Sequence, residues 1–301
     1  MFGFNKTKKL VTHDGSFHTD DVFACATLSI ILEREEKKFK IIRTRDPEII
    51  KDGDYVFDVG GIYDPESNRF DHHQTGGAGK RPNDIEYASF GLVWKKFGEE
   101  LCKYQKAVDL IDKKLVAPID AGDNGIDLVV EFKHEIKPYF IQSVFNSFVP
   151  GWKNVSEDTL LAGFLECVKI AKNILNNEIT RAQDIMEAEK IILAIYQDAE
   201  DKRIIVLDKK YPYEQMQNYP EPIFVIYPRL DGAWEAEGVN ESEFSFKNRK
   251  DFPISWAGLR DEELQKITGV TDAVFCHRGL FMAVAKSKEG AIELAKRALT
   301  S

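Results

Sequence analysis

The stretch KKLVTHDGSFHTDDVFACATLSIILERE, residues 8–35, carries the first decision about the fold. KKLVTH (8–13) is a short apolar run with the length of a buried strand. HTDDVFACATLSIILERE (18–35) has a polar start, an apolar body and a charged end, which predicts a buried helix. Two further strand-like runs follow, FKIIRTR (39–45) and DYVFDVG (54–60). A strand, a helix and two more strands in that order predict an α/β domain built on a mostly parallel sheet with flanking helices. In IYDPESNRFDHHQ (62–74), PESN is turn chemistry between Ile62–Tyr63 and Arg69–Phe70, so a small hairpin is expected. TGGAGKRPND (75–84) is a glycine-rich loop. ASFGLVWKKFGEEL (88–101) and YQKAVDLIDKKL (104–115) read as helices, and PIDAGDNGIDL (118–128) as the turn that follows them.

Beyond residue 128 the texture changes. From Ser156 to about Ala199 the pattern is helical with no proline, and Ser156 with Asp158 suits a helix start. Strands resume at RIIVLD (203–208), PIFVIYP (222–228), AVFCH (273–277) and LFMAVA (280–285), and KEGAIELAKRAL (288–299) forms a closing helix. The expected organisation is a first domain over 1–200, with its helical segment at 156–199, and a smaller α/β domain over 201–301. A length of 301 residues fits two domains of ordinary size.

Composition narrows the functional classes. With 43% hydrophobic and 30% charged residues the chain can bury a core and is not a disordered one. The net charge of −9 is the wrong sign for nucleic-acid binding through a broad basic face. Residues 201–301 carry 15 basic and 16 acidic side chains, so the acidity sits in the N-terminal two-thirds. Cys25, Cys102, Cys167 and Cys276 are far apart with no C-x-x-C pair, which excludes a cysteine zinc site and suits reduced core residues of an intracellular, cytoplasmic protein. The N-terminus has no signal-peptide pattern, and the longest mostly apolar run, Val22 to Leu32, is too short to span a bilayer.

Four of the six histidines form two tight groups, His13 with His18 and His72 with His73. Both lie where a strand should end, and open parallel sheets bind ligands at the carboxyl ends of their strands. Asp14, Asp20, Asp21, Asp58, Asp64, Asp71, Asp120 and Asp123 surround them in sequence. Taken singly, each has an ordinary explanation as a helix cap, turn chemistry or a surface His–Asp pair. Together, four segments each place His or Asp at the end of an element. Histidine and aspartate without cysteine suit a borderline-to-hard divalent ion such as manganese, magnesium or iron. Carboxylates this crowded repel one another unless cations lie between them. Six candidate ligands exceed what one catalytic ion with open positions needs, which points to two ions.

The segments HDGSFHTDD (13–21), FDVGGIYD (57–64), RFDHHQ (69–74), ASFGLVW (88–94), DAGDNG (120–125), SWAGLRDEEL (255–264) and VFCHRGLF (274–281) resemble the signature segments of the melanocyte-proliferating-gene family, in order and from about residue 10 to the end. That family is similar to the DHH phosphoesterases. The resemblance implies a two-domain, two-metal phosphoesterase with its active site in the cleft between the domains, and a 3′-to-5′ exonuclease acting on RNA. Residue by residue it implies His13, His18, Asp20, Asp58, His72 and Asp120 as metal ligands, with Asp58 bridging the two ions. Asp123 is the alternative to Asp120. His73 would face the substrate phosphate, and Asp71 would orient a histidine by hydrogen bond. His18 stands where the superfamily more often has an aspartate.

Two divalent ions, manganese first and magnesium next, suit phosphodiester hydrolysis because they supply a nucleophile at neutral pH and compensate charge on the leaving oxygen. The sequence contains neither G-x-S-x-G nor G-x-x-x-x-G-K-[ST], so serine-hydrolase and P-loop chemistry are not expected. In the second domain Arg260 and His277 are candidate phosphate contacts, arginine because its planar fork takes two oxygens, while Trp256 reads as core. The expected partner is single-stranded RNA or a short oligonucleotide. The alternatives are a small phosphate compound such as pyrophosphate or a dinucleotide, which the net charge favours, and a metal-dependent amide or peptide hydrolase.

Overall fold

The computed structural model describes residues 6–129, 131, 135–242 and 245–301. Strand β1 (Lys8–Thr12) leads through helix α1 (Thr19–Arg34) to β2 (Phe39–Arg43), which pairs parallel to it. A short helix α2 (Pro47–Lys51) follows, started by the Asp46 side chain accepting from Glu48 N and by Pro47 in the first turn. It returns the chain to β3 (Tyr55–Phe57), on the other side of β1 and again parallel. The PESN hairpin supplies β4 (Tyr63–Asp64) and β5 (Arg69–Phe70), with Tyr63 opposite Phe70. β5 pairs parallel to β3, and the strand order is β2-β1-β3-β5-β4. The connection from β1 turns toward one edge and that from β3 toward the other. The carboxyl ends of β1 and β3 therefore form the switch point where an open α/β sheet offers a crevice.

α1 is buried on all sides. Two of its three hydroxyls find acceptors one turn back, Thr27 Oγ1 donating to Phe23 O and Ser29 Oγ to Cys25 O. Phe23 stacks on Phe90 of α3 (Ser89–Cys102), ring centroids 5.0 Å apart. Helix α4 (Gln105–Ile111) continues through a wide turn (Asp112–Val116) into α5 (Ala117–Asp123). Asp120 and Asp123, expected in a turn, thus lie on a helix. The widened turn keeps the helical path through Pro118, and Gly125 at φ +69° ends it. Helix α6 (Ile141–Asn146) precedes the 42-residue helix α7 (Glu157–Asp198).

Two compact units divide the chain, residues 1–183 and 184–301, so the division falls inside α7 rather than near residue 200. The reason is packing: Ala188, Ile192 and Tyr196 bury against Ile205, Val225 and Tyr227 of the second sheet. That sheet runs β6 (Ile204–Val206), β7 (Phe224–Pro228), β8 (Trp234–Gly238), β10 (Met282–Ala285), β9 (Ala273–Cys276). Only the β6–β7 pair is parallel among them. β8, WEAEG, alternates apolar and acidic residues and was not anticipated. Helices α8 (Asp261–Thr268) and α9 (Lys288–Thr300) complete this unit, and Trp256 packs in its core beside Phe252, as expected. The four cysteines are buried and free. Among the described residues no helix is long and apolar enough to cross a membrane.

Candidate metal centre

Each cluster residue is placed by the end of an element. His13 leaves β1 and is buried; its Nδ1 lies 2.7 Å from Asp14 O. A carbonyl only accepts, so Nδ1 carries the proton and Nε2 is the atom turned to the acids. Nε2 stands 3.2 Å from Asp58 Oδ2 and 3.3 Å from Asp21 Oδ2. Asp58 follows β3 in the left-handed region, φ +55°, a conformation aspartate tolerates in a tight turn. Its Oδ1 accepts from Ser89 Oγ at 3.2 Å and lies 3.3 Å from His72 Nε2. His18 caps α1, its backbone N donating to Asp21 Oδ1 at 3.0 Å while its ring stays largely exposed, Nδ1 3.8 Å from Asp123 Oδ1. Asp123, at the end of α5, also approaches His72, Oδ2 to Nε2 3.2 Å.

Among the described residues, three overlapping sets of ligand atoms result: His13, His18 and Asp58; Asp58, His72 and His73; His18, Asp20 and Asp123. Within each, the atoms lie within 4.8 Å of one another. Asp58 belongs to two of the sets and His18 to two.

Asp71 has a different duty. Its Oδ2 accepts from Gly61 N at 2.5 Å, and its Oδ1 accepts from His73 N at 3.1 Å and lies 2.7 Å from His73 Nδ1. The turn after β3 and the Asp71–His72–His73 segment are tied together by this one buried carboxylate. It holds His73 by Nδ1 and leaves Nε2 as the free ring nitrogen on a side chain 61% exposed.

Asp120, expected as the last ligand, is in none of the three sets. It is fully buried. Its Oδ1 accepts from Gly91 N at 3.0 Å, and its Oδ2 forms an ion pair with Arg81, 2.8 Å from Nη2. Arg81 also forks onto Asp112, both contacts at 2.8 Å, which ties the glycine-rich loop to the helices. A Cβ at residue 91 would lie 1.9 Å from Asp120 Oδ2, so α3 and α5 meet only because Gly91 has no side chain. Burial outweighs Arg81 and pushes the Asp120 carboxyl up to about 7. Asp21, Ser89, Arg81 and Gly91 were not assigned roles from the sequence. Ser89 and Gly91 both belong to the ASFG segment at the start of α3, where Ser89 reaches Asp58 and Gly91 meets Asp120.

The electrostatics describe a site short of positive charge. Both carboxylate oxygens of Asp20 are buried without a hydrogen-bond partner, and so is His72 Nε2. Burial and the neighbouring charges of Asp58, Asp123 and Asp21 push the Asp20 carboxyl well above the ordinary carboxylate range. Burial opposes charge on His13, yet Asp21 and Asp58 outweigh it and raise the ring to about 10. The same balance, with Asp123 and Asp58, raises His72 to about 10. Burial also acts on Asp58, but His13 and His72 hold its carboxyl far below its usual value. Orphaned acceptors and crowded carboxylates among neutral-capable imidazoles are a donor set that fits divalent cations.

In the second unit, Arg260 caps α8 with its guanidinium 4.2 Å from the centroid of Phe275, and it is exposed. His277 follows β9, 6.1 Å from the same ring and 4.3 Å from Phe281. Its Nδ1 accepts from Gly279 N at 2.9 Å, which puts the ring proton on Nε2. The two candidate phosphate contacts thus flank one phenylalanine.

A Dictyostelium discoideum MYG1 protein is 29% identical over 96% of this chain and 96% of its own. The human MYG1 exonuclease is 30% identical over 97% of this chain and 85% of its own. A RecJ from Thermus thermophilus, solved with Mn2+, covers 98% of this chain and 52% of that one at a TM-score of 0.28 and 10% identity. That likeness is slight and supports no inference about fold or site. The profile of the MYG1 exonuclease family, described as an uncharacterised protein family (UPF0160), matches residues 9–299. Nearly the whole chain, every segment of the buried centre included, lies inside that match, and the chain belongs to this family.

Proposed function

We propose that this chain, a metal-dependent hydrolase of the phosphoesterase and exonuclease class, removes nucleotides from single-stranded RNA, working 3′ to 5′, with two divalent ions, manganese first, held in the buried centre. The observation that carries the reading is Asp58, shared by two of three overlapping ligand sets at the carboxyl end of β3. His13, His18, Asp20, Asp58, His72 and Asp123 would hold the ions, and Asp123 takes the place that resemblance gave to Asp120. Such a pair supplies a water nucleophile at neutral pH and compensates charge on the phosphate and leaving oxygens.

The chain's own groups do the rest. Asp14 O fixes the His13 tautomer, and Ser89 Oγ orients Asp58. Asp71 holds His73 so that its free Nε2 meets a phosphate oxygen. Arg260 and His277 hold the phosphates of nucleotides beyond the scissile one. The human relative is named an exonuclease, which supports the nucleic-acid substrate; the net charge of −9 favours a small phosphate compound as the second reading.

The test is a panel of RNA and DNA strands labelled at either end, pyrophosphate and a model peptide, each with manganese and with magnesium. Metal-dependent release of mononucleotides from the 3′ end of RNA is expected. Turnover of pyrophosphate alone moves the assignment to the second reading, and full activity after verified metal removal overturns both.

A further inference from the structure

A cavity of about 370 Å³ opens beside the buried centre, entirely within residues 1–183. That lies in the ~300–1,000 Å³ range of small-molecule sites. His18 and Asp123, two members of the ligand sets, form the wall toward the centre. Phe17, Ile119 and Phe145, all buried, give it apolar faces. Gln142 and Asn146, four residues apart on one side of α6, supply two amides. Among the described residues lining it there is no lysine or arginine, and Asp123 is its one carboxylate.

This lining does not suit a phosphate. An anion there would meet Asp123 and no compensating cation. It suits a neutral, flat group with polar edges attached to a phosphate that lies over the His–Asp cluster, which is the description of a nucleobase. Gln142 adds selectivity. Its Nε2 donates to Pro118 O at 3.4 Å, which leaves Oε1 as the acceptor end of the amide. Gly122 makes that placement possible: a Cβ there would stand 2.6 Å from Gln142 Nε2. An acceptor in the wall pairs with the amino group of adenine or cytosine and opposes the carbonyl that uracil carries at the same place.

We propose that this cavity holds the base of the nucleotide being released, and that Gln142 Oε1 makes the enzyme favour terminal adenosine and cytidine over uridine. The inference rests on the exonuclease reading above. One hydrogen bond gained or opposed corresponds to a preference of roughly three- to tenfold in kcat/KM.

The experiment uses the full chain with manganese and RNA strands identical except for the terminal A, C or U. The quantity is the ratio of kcat/KM values within each protein, which does not depend on how much of a variant is folded. The wild type should prefer A and C. Gln142→Ala should bring the ratios to about one, and Gln142→Glu, which keeps an acceptor, should retain the preference. Equal ratios in the wild type, or a preference that survives Gln142→Ala, overturn the base pocket and leave the phosphoesterase standing. Release of no nucleotide from any strand, with pyrophosphate still hydrolysed, overturns the exonuclease reading and the pocket with it.

Discussion

Asp120 and Asp123 stand three residues apart on α5 and serve different partners: Asp120 Oδ2 meets Arg81 at 2.8 Å, while Asp123 Oδ2 meets His72 at 3.2 Å. Their substitutions should separate accordingly. Asp123→Ala should lower metal affinity by more than the ~10–100-fold typical of losing a residue that only supports a ligand. Asp120→Asn should keep its metal and lose about 1–3 kcal/mol of stability, since Arg81 is left with Asp112 alone in a buried setting. Gly91→Ala, which drives a Cβ into the same carboxylate, should destabilise in the same way. Metal content by atomic spectroscopy and unfolding in denaturant measure the two properties. Loss of metal in Asp120→Asn with Asp123→Ala unaffected would reverse the assignment.

Protons and metal ions should compete for the centre. His13 and His72 are raised to about 10 and Asp20 is raised as well, so in each case the fold favours the protonated form. For the two histidines that stabilisation is fully present below the free-imidazole value of about 6.5 and is lost as pH climbs through about 10. The metal-free protein should therefore unfold at progressively lower temperature as pH rises from about 6.5 to about 10. Ions must displace these protons, so manganese binding should release protons at neutral pH and tighten as pH rises. Calorimetric titration in two buffers of different ionisation enthalpy reads the protons directly. Binding without proton release would contradict protonated histidines in the metal-free site.

Asp58 and Asp71 are both buried carboxylates at strand ends, but only Asp58 shares its oxygens between two ligand sets. Asp58→Asn should abolish activity and reduce bound metal at both positions. Asp71→Asn should keep the metal and cost about 10–100-fold in rate, because His73 loses its anchor. Equal metal content and equal rates in the two variants would rule out a shared carboxylate.

The sequence made the strand ends legible because buried parallel strands and polar ends alternate so sharply over residues 8–74. His13, Asp58 and His72 stand where that pattern puts them. The choice between Asp120 and Asp123 was not legible, because it depends on which face of α5 each occupies and on Arg81 arriving from a loop 31 residues before Asp112. Spacing along the chain carries no record of such a contact. The place of the domain division was equally hidden. The helical pattern from Ser156 to Ala199 is continuous, and only its packing partners change, from Phe17 against Phe164 to Val225 and Tyr227 against its last turns.

The second unit's part in catalysis can be tested through Arg260 and His277. Both flank Phe275, and both expose a donor on the same small surface: the Arg260 guanidinium, and His277 Nε2 with its proton fixed by the Gly279 contact. If they hold phosphates of the bound strand, they do so equally before and during bond cleavage. Arg260→Ala and His277→Ala should then raise KM, spare kcat and leave bound metal unchanged. A charge-assisted contact of ~1.5–3 kcal/mol corresponds to roughly a ten- to hundredfold loss in kcat/KM. The loss should be small for a dinucleotide and grow with strand length, since a longer strand brings further phosphates to be held. His277→Gln keeps a donor without the ring and should recover part of the loss, which a change in folding alone would not predict. A uniform loss at every length would mean that the bound compound ends near the scissile bond and would favour a small phosphate substrate. A ratio of one at every length would remove both residues from the binding surface and leave the buried centre to act without them.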